Sequence, residues 1–471
     1  MTSLLDAEPV SRDTARGTRP VDRGLERRLS DTELFFSTTD SKGVITAGNR
    51  VFETVSGYPL DELIGRAHNV VRHPDMPRAV FQLLWDTIRA GDPVAAYVQN
   101  QTKDGAYYWV LASVVPIADG YLSVRLAPGG EHFAIAKTLY RELVALERKT
   151  EGADVRQRKA SITASVALLG ERLTQAGYAD YRAFMQAALP AEVARRAARL
   201  PDSHRQAIAI APQHSSQAVV EILAAYRSLS EFLAGLVTDL ARYATVGQAL
   251  AQQSSYLRTM GDEVQLFALN AQIGASRLGE QGAALDAVAR LLTEQSQATS
   301  PLVGTVVEQA SSAVAKIEEM IFQLALSTVQ AEMIAVFAHE TAEEPTVRHS
   351  TSVNMVALAD ALQGGSDRTF ATLATVARTL ASVVEHTEHV RTGIDRLARL
   401  SLNGRVELAS VPDAGSISTL FSDVESQAID ARTRLAGFAA IQQAADELQR
   451  AAHHDAMHAA ERLRKSAQTL T

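Results

Sequence analysis

At 471 residues and 46% hydrophobic, the chain is long enough for two or three separate cores, and an aromatic share of only 6% favours long helices of alanine and leucine over a β-rich architecture. A formal charge of −8 gives no broad cationic footprint for nucleic acid, while the absence of cysteine excludes disulfides, thiolate metal sites and cysteine nucleophiles and fits a reducing cytoplasm. No uninterrupted apolar run approaches the ~20 residues needed to span a bilayer; the best candidate, Met320 to Ala331, is bounded by Glu318, Glu319 and Glu332 and reads as a core-facing helix segment.

Residues 1–30 carry scattered Arg and Asp without an apolar stretch, which predicts a disordered tail and not a signal peptide. From 31 to 127 the punctuation is that of a compact α+β domain. Phe35 to Thr39 reads as a strand, Asp40 to Gly43 as a tight turn and Val44 to Ala47 as the second strand of a hairpin. Asn49 can cap a short helix to Ser56, with Gly57 as its stop signal. Between Gly65 and Pro77 the chain gathers Arg66, His68, Asn69, Arg72, His73, Pro74, Asp75 and Pro77. Pro74 pushes His73 towards extended geometry and Pro77 suits the first turn of a following helix, so the stretch is a stiff polar connector and a natural place for a ligand. An amphipathic helix, Arg78 to Ala90, comes next, and strands follow at Val94 to Gln101, Tyr107 to Ile117 and Tyr121 to Leu126.

The run His68-Asn-Val-Val-Arg-His-Pro-Asp-Met-Pro77 resembles the signature of the PAS sensory domain of bacterial aerotaxis receptors. Asn49 to Tyr58, Lys103 to Val110 and Gly120 to Arg125 also look like that family's pattern, in the same order. The resemblance implies a PAS fold whose pocket holds FAD, with flavin redox state as the input. It carries over the positions His68, Asn69, Arg72, His73, Asp75 and Trp109 as cofactor-binding; Val94 stands where close relatives have Trp. Read from the residues themselves, Arg72 could equally pair with Asp75, Trp109 could be core packing, and the two histidines raise haem as an alternative cofactor.

After Leu126 the chain turns Ala/Leu-rich with charges at helical spacing. Residues 128–213 read as a helical connector with breaks at Ala188-Leu-Pro190 and Ile208 to Pro212, and Arg195, Arg196 and Arg199 read as a solvated helix face. The remainder contains an internal repeat at a constant offset of 133 positions, in which Leu257 to Ala271 matches Val390 to Gly404 and Asn270 matches Asn403. Two similar hairpins are therefore expected, at 214–345 and 346–471, turning near Gly279 to Gly282 and near Pro412 to Gly415, with Pro301 and Gly364-Gly365 interrupting their arms. A buried Asn that sets helix register is one reading of the duplicated position.

Leu269 to Gly282 also resembles the hairpin tip of methyl-accepting chemotaxis receptors, with Gly274 where a Glu is usual. That resemblance implies a long antiparallel four-helix bundle that docks a histidine kinase and its coupling adaptor through Asn270, Arg277, Glu280, Gln281 and Asn403. No nucleotide-binding, metalloprotease or nucleophile-elbow motif is present, so a non-catalytic role is expected. Two readings follow. One is a soluble cytoplasmic redox or oxygen sensor in which a flavin-PAS domain drives a degenerate chemoreceptor bundle. The other is a scaffold that uses a ligand-free PAS domain to form a homodimer.

Overall fold

The computed structural model describes residues 25–152, 154–277, 279–343, 348–409, 415–452 and 464–465. These fall into two compact units, one holding the chain up to Gly235 together with Ile321–Thr369 and His454–Thr471, the other Leu236–Met320 with Phe370–His453. The expected tail, the link near Pro345 and the second tip at Pro412 lie wholly or partly outside the described residues.

In the first unit, β1 (Leu34–Asp40) and β2 (Ile45–Gly48) form the expected hairpin, and α1 (Arg50–Ser56) follows with Asn49 as its cap. Gly57 ends α1 at φ 70, a left-handed conformation that a side chain would disfavour. Then come α2 (Leu60–Leu63), a 3₁₀ turn at His68–Val71 and α3 (Arg78–Arg89), before β3 (Val94–Gln101), β4 (Tyr107–Ile117) and β5 (Gly120–Leu126). The five strands make one antiparallel sheet in the order β2-β1-β5-β4-β3.

Strand alternation sends Ser37, Asn100, Ala112, Ser123 and Arg125 to one face, beneath the short helices, and Phe36, Tyr97 and Trp109 to the other. That second face is covered by helices of the same chain: α4 (Glu131–Glu151) packs Phe133 on Tyr97 and Trp109, and α6 (Tyr181–Arg199) brings Glu192 to the Tyr97 hydroxyl at 3.1 Å. The third cover is α9 (Ala283–Glu343), whose Phe337 meets Phe36 edge-on at 4.9 Å. From Phe322 to Ala338 nearly every residue of α9 is buried, including the polar Gln323, Ser327, Gln330 and Glu332. It is long and apolar enough to cross a membrane, yet 83% of its most apolar 18-residue window is buried within the protein.

Several local expectations give way to packing. Pro190 does not break α6, because Leu189 and Glu192 on either side of it are fully buried and hold the helix across the missing hydrogen bond. Nor is the basic set simply a solvated face: Arg196 is buried and Arg195 half-buried, while Arg199 stays exposed. Arg196 makes a two-pronged ion pair with Glu332 of α9 (2.5 and 2.8 Å), Arg195 reaches Asp31 and the Ala127 carbonyl, and Arg199 reaches Asp31. These acceptors lie more than sixty positions away in sequence, which local spacing cannot reveal. Ile208, expected in a linker, is buried near the end of α7 (Asp202–Ala209).

The second unit is built from parts of α8 (Gln217–Arg277), α9, α10 (Arg348–Leu408) and α11 (Gly415–Ala452). Gln272 of α8 meets Thr293 of α9, and Ser401 of α10 donates to the Phe421 carbonyl of α11. Tyr256 and Glu263 of α8 both reach Gln427 of α11, and Thr299 of α9 sits against Gly393 of α10. Each helix thus has two antiparallel neighbours, giving a four-helix bundle within one chain. The repeat has a packing basis: Leu257, Val264, Ala268 and Ala275 are buried, and so are their equivalents Val390, Leu397, Ser401 and Leu408. Asn270 and Asn403 both face solvent, so neither is a buried register-setting residue.

Pro301 and Gly364-Gly365 do not interrupt their helices. The helical glycines are instead points of close approach. A Cβ at Gly274 would lie 2.9 Å from Ile417, one at Gly393 2.5 Å from Thr299, and one at Gly365 3.2 Å from Ser327, while one at Gly404 would collide with the Phe421 ring. Gly304, by contrast, faces open space. Gly404→Ala is therefore expected to destabilise the bundle by roughly 1–3 kcal/mol through overpacking, whereas Gly304→Ala should stabilise it by about 0.5–1 kcal/mol through helix propensity. Paired chemical-denaturation curves check both signs.

Candidate functional site

Between the sheet and the short helices lies a partly enclosed cavity of about 130 Å³. Its walls are apolar on two sides: Val98, Ala112 and Val114 from the sheet, Phe81, Leu84, Trp85 and Ile88 from α3. Its remaining end is polar. There Ser37 of β1, His68 of the 3₁₀ turn, Asn100 of β3, and Ser123 and Arg125 of β5 converge. Strand register brings them together: Ser37 pairs with Ser123, and Arg125 lies opposite Phe35 on one side and Ala112 on the other.

Arg125 is the centre of this end. Only 5% exposed, it donates from Nη1 to Ser37 Oγ at 2.9 Å and from Nη2 to His68 Nε2 at 2.9 Å, with its guanidinium over the Phe35 and Phe52 rings at 5.3 and 5.9 Å. Burial pulls its pKa down to about 10, which leaves it a cation at neutral pH. No carboxylate pairs with it among the described residues. Because Arg125 only donates, His68 Nε2 must be the unprotonated nitrogen, and its proton sits on Nδ1. Burial first, and then the Arg125 charge, push the His68 pKa down to about 3. Its ring stacks on Phe52 of α1, 6.0 Å between centroids and 6° from parallel.

Of the sequence-predicted residues, His68, Asn69 and Arg72 line the cavity; His73, Asp75 and Trp109 do not. Arg72 lies over the Phe81 ring at 4.4 Å and donates to the Met76 carbonyl, so it does not pair with Asp75. Asp75 pairs with Arg148 of α4 and fastens the connector to that helix. His73 is buried at the edge of Tyr107, with Nδ1 accepting from the Asp75 amide at 3.1 Å. Trp109 sits on the opposite face of the sheet against Phe133 and Tyr140. Val94 is buried at the start of β3 outside the cavity wall, and the aromatics on the wall are Phe81, Trp85 and Tyr121, the last two 5.4 Å apart.

Sequence reasoning missed Ser37, Asn100, Ser123 and Arg125. The signal was period-two alternation: these polar residues share the strand parity of Phe35, Val98 and Tyr121, whose side chains also face inward. Asn100 Nδ2 and Ser123 Oγ are buried there without a hydrogen-bond partner, open to a water or a ligand. A planar heterocycle carrying carbonyl and ring-nitrogen acceptors along one edge fits this combination. A haem does not, because the one histidine on the wall turns its unprotonated nitrogen to Arg125.

Residues 45–124 match the PAS fold family. The aerotaxis receptor of Escherichia coli is 43% identical over 122 residues, which is 25% of this chain and 24% of the receptor. The N-terminal domain is a PAS domain. Its relatives include the nitrogen fixation regulatory protein of Klebsiella pneumoniae, 30% identical over 89 residues (19% of this chain, 18% of that one). The biofilm dispersion protein BdlA of Pseudomonas aeruginosa is 27% identical over 97 residues (20% and 22%). Among solved structures, the LOV domain of the blue-light photoreceptor Aureochrome1 aligns with 22% of this chain and 88% of its own, at 22% identity and a TM-score of 0.20. These curated relatives are matched over a quarter of their length or less.

At the hairpin tip, Asn270, Arg277 and Asn403 are exposed, and the side chains of Glu280 and Gln281 lie outside the described set. Beside the two asparagines, Leu269 and Ile273 of α8 and their equivalents Leu402 and Val406 of α10 are all more than 40% exposed.

The lowered pKa of His68 fixes a sign for pH dependence. In the unfolded chain the imidazole takes up its proton near the ordinary 6.5, whereas in the folded PAS domain it resists until about pH 3. Its contribution to stability is therefore complete above pH 6.5 and falls as pH drops towards 3. Urea midpoints measured between about pH 7 and about pH 4 should decline on acidification, and less steeply in His68→Gln.

Proposed function

We propose that this chain is a non-catalytic cytoplasmic sensor whose PAS cavity holds a flavin, FAD, and whose helical region is a chemoreceptor-like output module for oxygen or redox signals. The observation that supports the cofactor is the polar end of the cavity: a buried, carboxylate-free Arg125 beside His68, with Asn100 and Ser123 left unpartnered. Arg125 and His68 would hold the electron-rich edge of the ring, Asn100 and Ser123 would complete its hydrogen bonds, and Trp85, Phe81 and Val114 would exclude water from its faces. Lys42, exposed at the rim, and Arg72 suit the diphosphate that distinguishes FAD from smaller flavins. A bound flavin would supply a redox-dependent change of charge and hydrogen bonding at its ring. One relative supports the reading, since it is named for aerotaxis.

On the output side, the paired exposed stripes around Asn270 and Asn403 support a docking face for a chemotaxis histidine kinase and its coupling adaptor. The scaffold reading has less behind it, because the outer face of the PAS sheet is already covered by α4, α6 and α9 of the same chain rather than left open for a homodimer.

The visible spectrum of the purified full chain tests the cofactor. Flavin peaks are expected; a Soret band would indicate haem, and a colourless protein would return weight to the scaffold. Arg125→Ala should lower bound flavin per chain at least severalfold with the circular dichroism spectrum unchanged, and Trp109→Phe should leave flavin content unaltered. Equal loss in both variants would overturn the assignment of the cavity.

A further inference from the structure

Two neighbouring residues of β1 face opposite ways. Ser37 points into the cavity and accepts from Arg125 Nη1; Phe36 points out of the sheet onto Phe337 of α9. A strand cannot shift or rotate one of these side chains without moving the other. Helix α1 offers a second connection. Phe52 stacks on both His68 and Phe35 at the cavity end, and its amide is capped by Asn49 Oδ1, which also accepts from the Phe36 amide at 3.3 Å. From the same side chain Nδ2 donates to the Leu34 carbonyl and, at 2.9 Å, to Glu340 Oε1 of α9. The other oxygen of Glu340 accepts from the Arg50 amide at 3.3 Å. Asn49 is 1% exposed and Glu340 half-buried, so this bond is partly shielded from water.

Both connections thus start at groups that surround Arg125 and end on α9 within one helical turn, at Phe337 and Glu340. We propose that this pair is the intramolecular contact through which the state of the cavity is passed to the helical region, with Glu340 acting as the positioning residue for the Asn49 end. The inference rests on the reading of the cavity as a ligand site, and deepens it by naming the element that receives the signal.

Hydrogen exchange on the full-length, flavin-loaded protein tests the coupling, comparing oxidised with dithionite-reduced samples over peptides from α1 and from residues 328–343. In the native chain reduction should change exchange in both regions. Glu340→Ala should abolish most of the change in α9 while leaving flavin per chain unaltered, and Glu340→Gln, which keeps an acceptor for Asn49, should retain part of it. An α9 that ignores reduction, or an α9 response that survives Glu340→Ala combined with Phe337→Ala, would overturn the proposal. Protein isolated without flavin would sink the cofactor reading instead, and the coupling is then decided by Ser37→Val against Val114→Ala in the ligand-free chain. The first should alter exchange in α9 and the second should not; indifference of α9 to Ser37→Val overturns the coupling on its own.

Discussion

The constraint on which the PAS domain turns is the burial of one guanidinium without a counter-anion. Removing a charge of this kind from water costs several kcal/mol even after relaxation, and Arg125 recovers it only from neutral acceptors and ring faces. Each of those partners is then fixed in turn. His68 must stay neutral and in one tautomer, Phe52 must lie flat against it, and α1 must hold Phe52 there through its Asn49 cap. A carboxylate in the place of Ser37 would have cancelled the charge and closed the end of the cavity. With Ser37 there, the positive field remains directed into the space between sheet and helices, where an electron-rich ring edge is the complementary group.

The order of elements in this domain was legible from sequence because its signals are local. Asn49 and Gly57 bracket α1, the prolines of the connector set the entry to α3, and turn residues separate β3, β4 and β5 where expected. The site was only half legible. His68, Asn69 and Arg72 stand on the connector, where polarity and the family resemblance drew attention, whereas Arg125 and Ser123 become neighbours of Ser37 only when β5 pairs with β1. Trp109 shows the converse error, a prominent residue in the right strand whose alternation places it on the other face.

The helical half was legible in its repeat and opaque in its joints. A shared register of buried small and aliphatic residues is a property of each helix and can be read along the chain. Whether a glycine interrupts a helix or lets another approach is not such a property, since it depends on what lies across the interface. Gly404 and Gly274 are in helices because Phe421 and Ile417 occupy the room a side chain would need. The glycine at 274 is thereby tied to the pairing of α8 with α11 inside one chain.

The base of α9 carries the last step. A helix buried on all sides would ordinarily be locked by apolar packing, yet this one presents Gln323, Ser327 and Gln330 along one face, each fully buried with an oxygen lacking a partner. Unsatisfied groups of this kind cost about 1–3 kcal/mol apiece unless water reaches them, so the apolar gain over this segment is offset by its own polar stripe. What positions α9 is then a small number of discrete contacts: Glu332 on Arg196, Phe337 on Phe36, His339 on the Ile208 carbonyl and Glu340 on Asn49. Packed interfaces tend to switch between discrete arrangements instead of deforming continuously, and these contacts are the ones such a switch would remake. The sequence places them where the PAS sheet and the connector meet the same helix, and leaves the strongest of them, the doubly bonded Arg196–Glu332 pair, on the connector side.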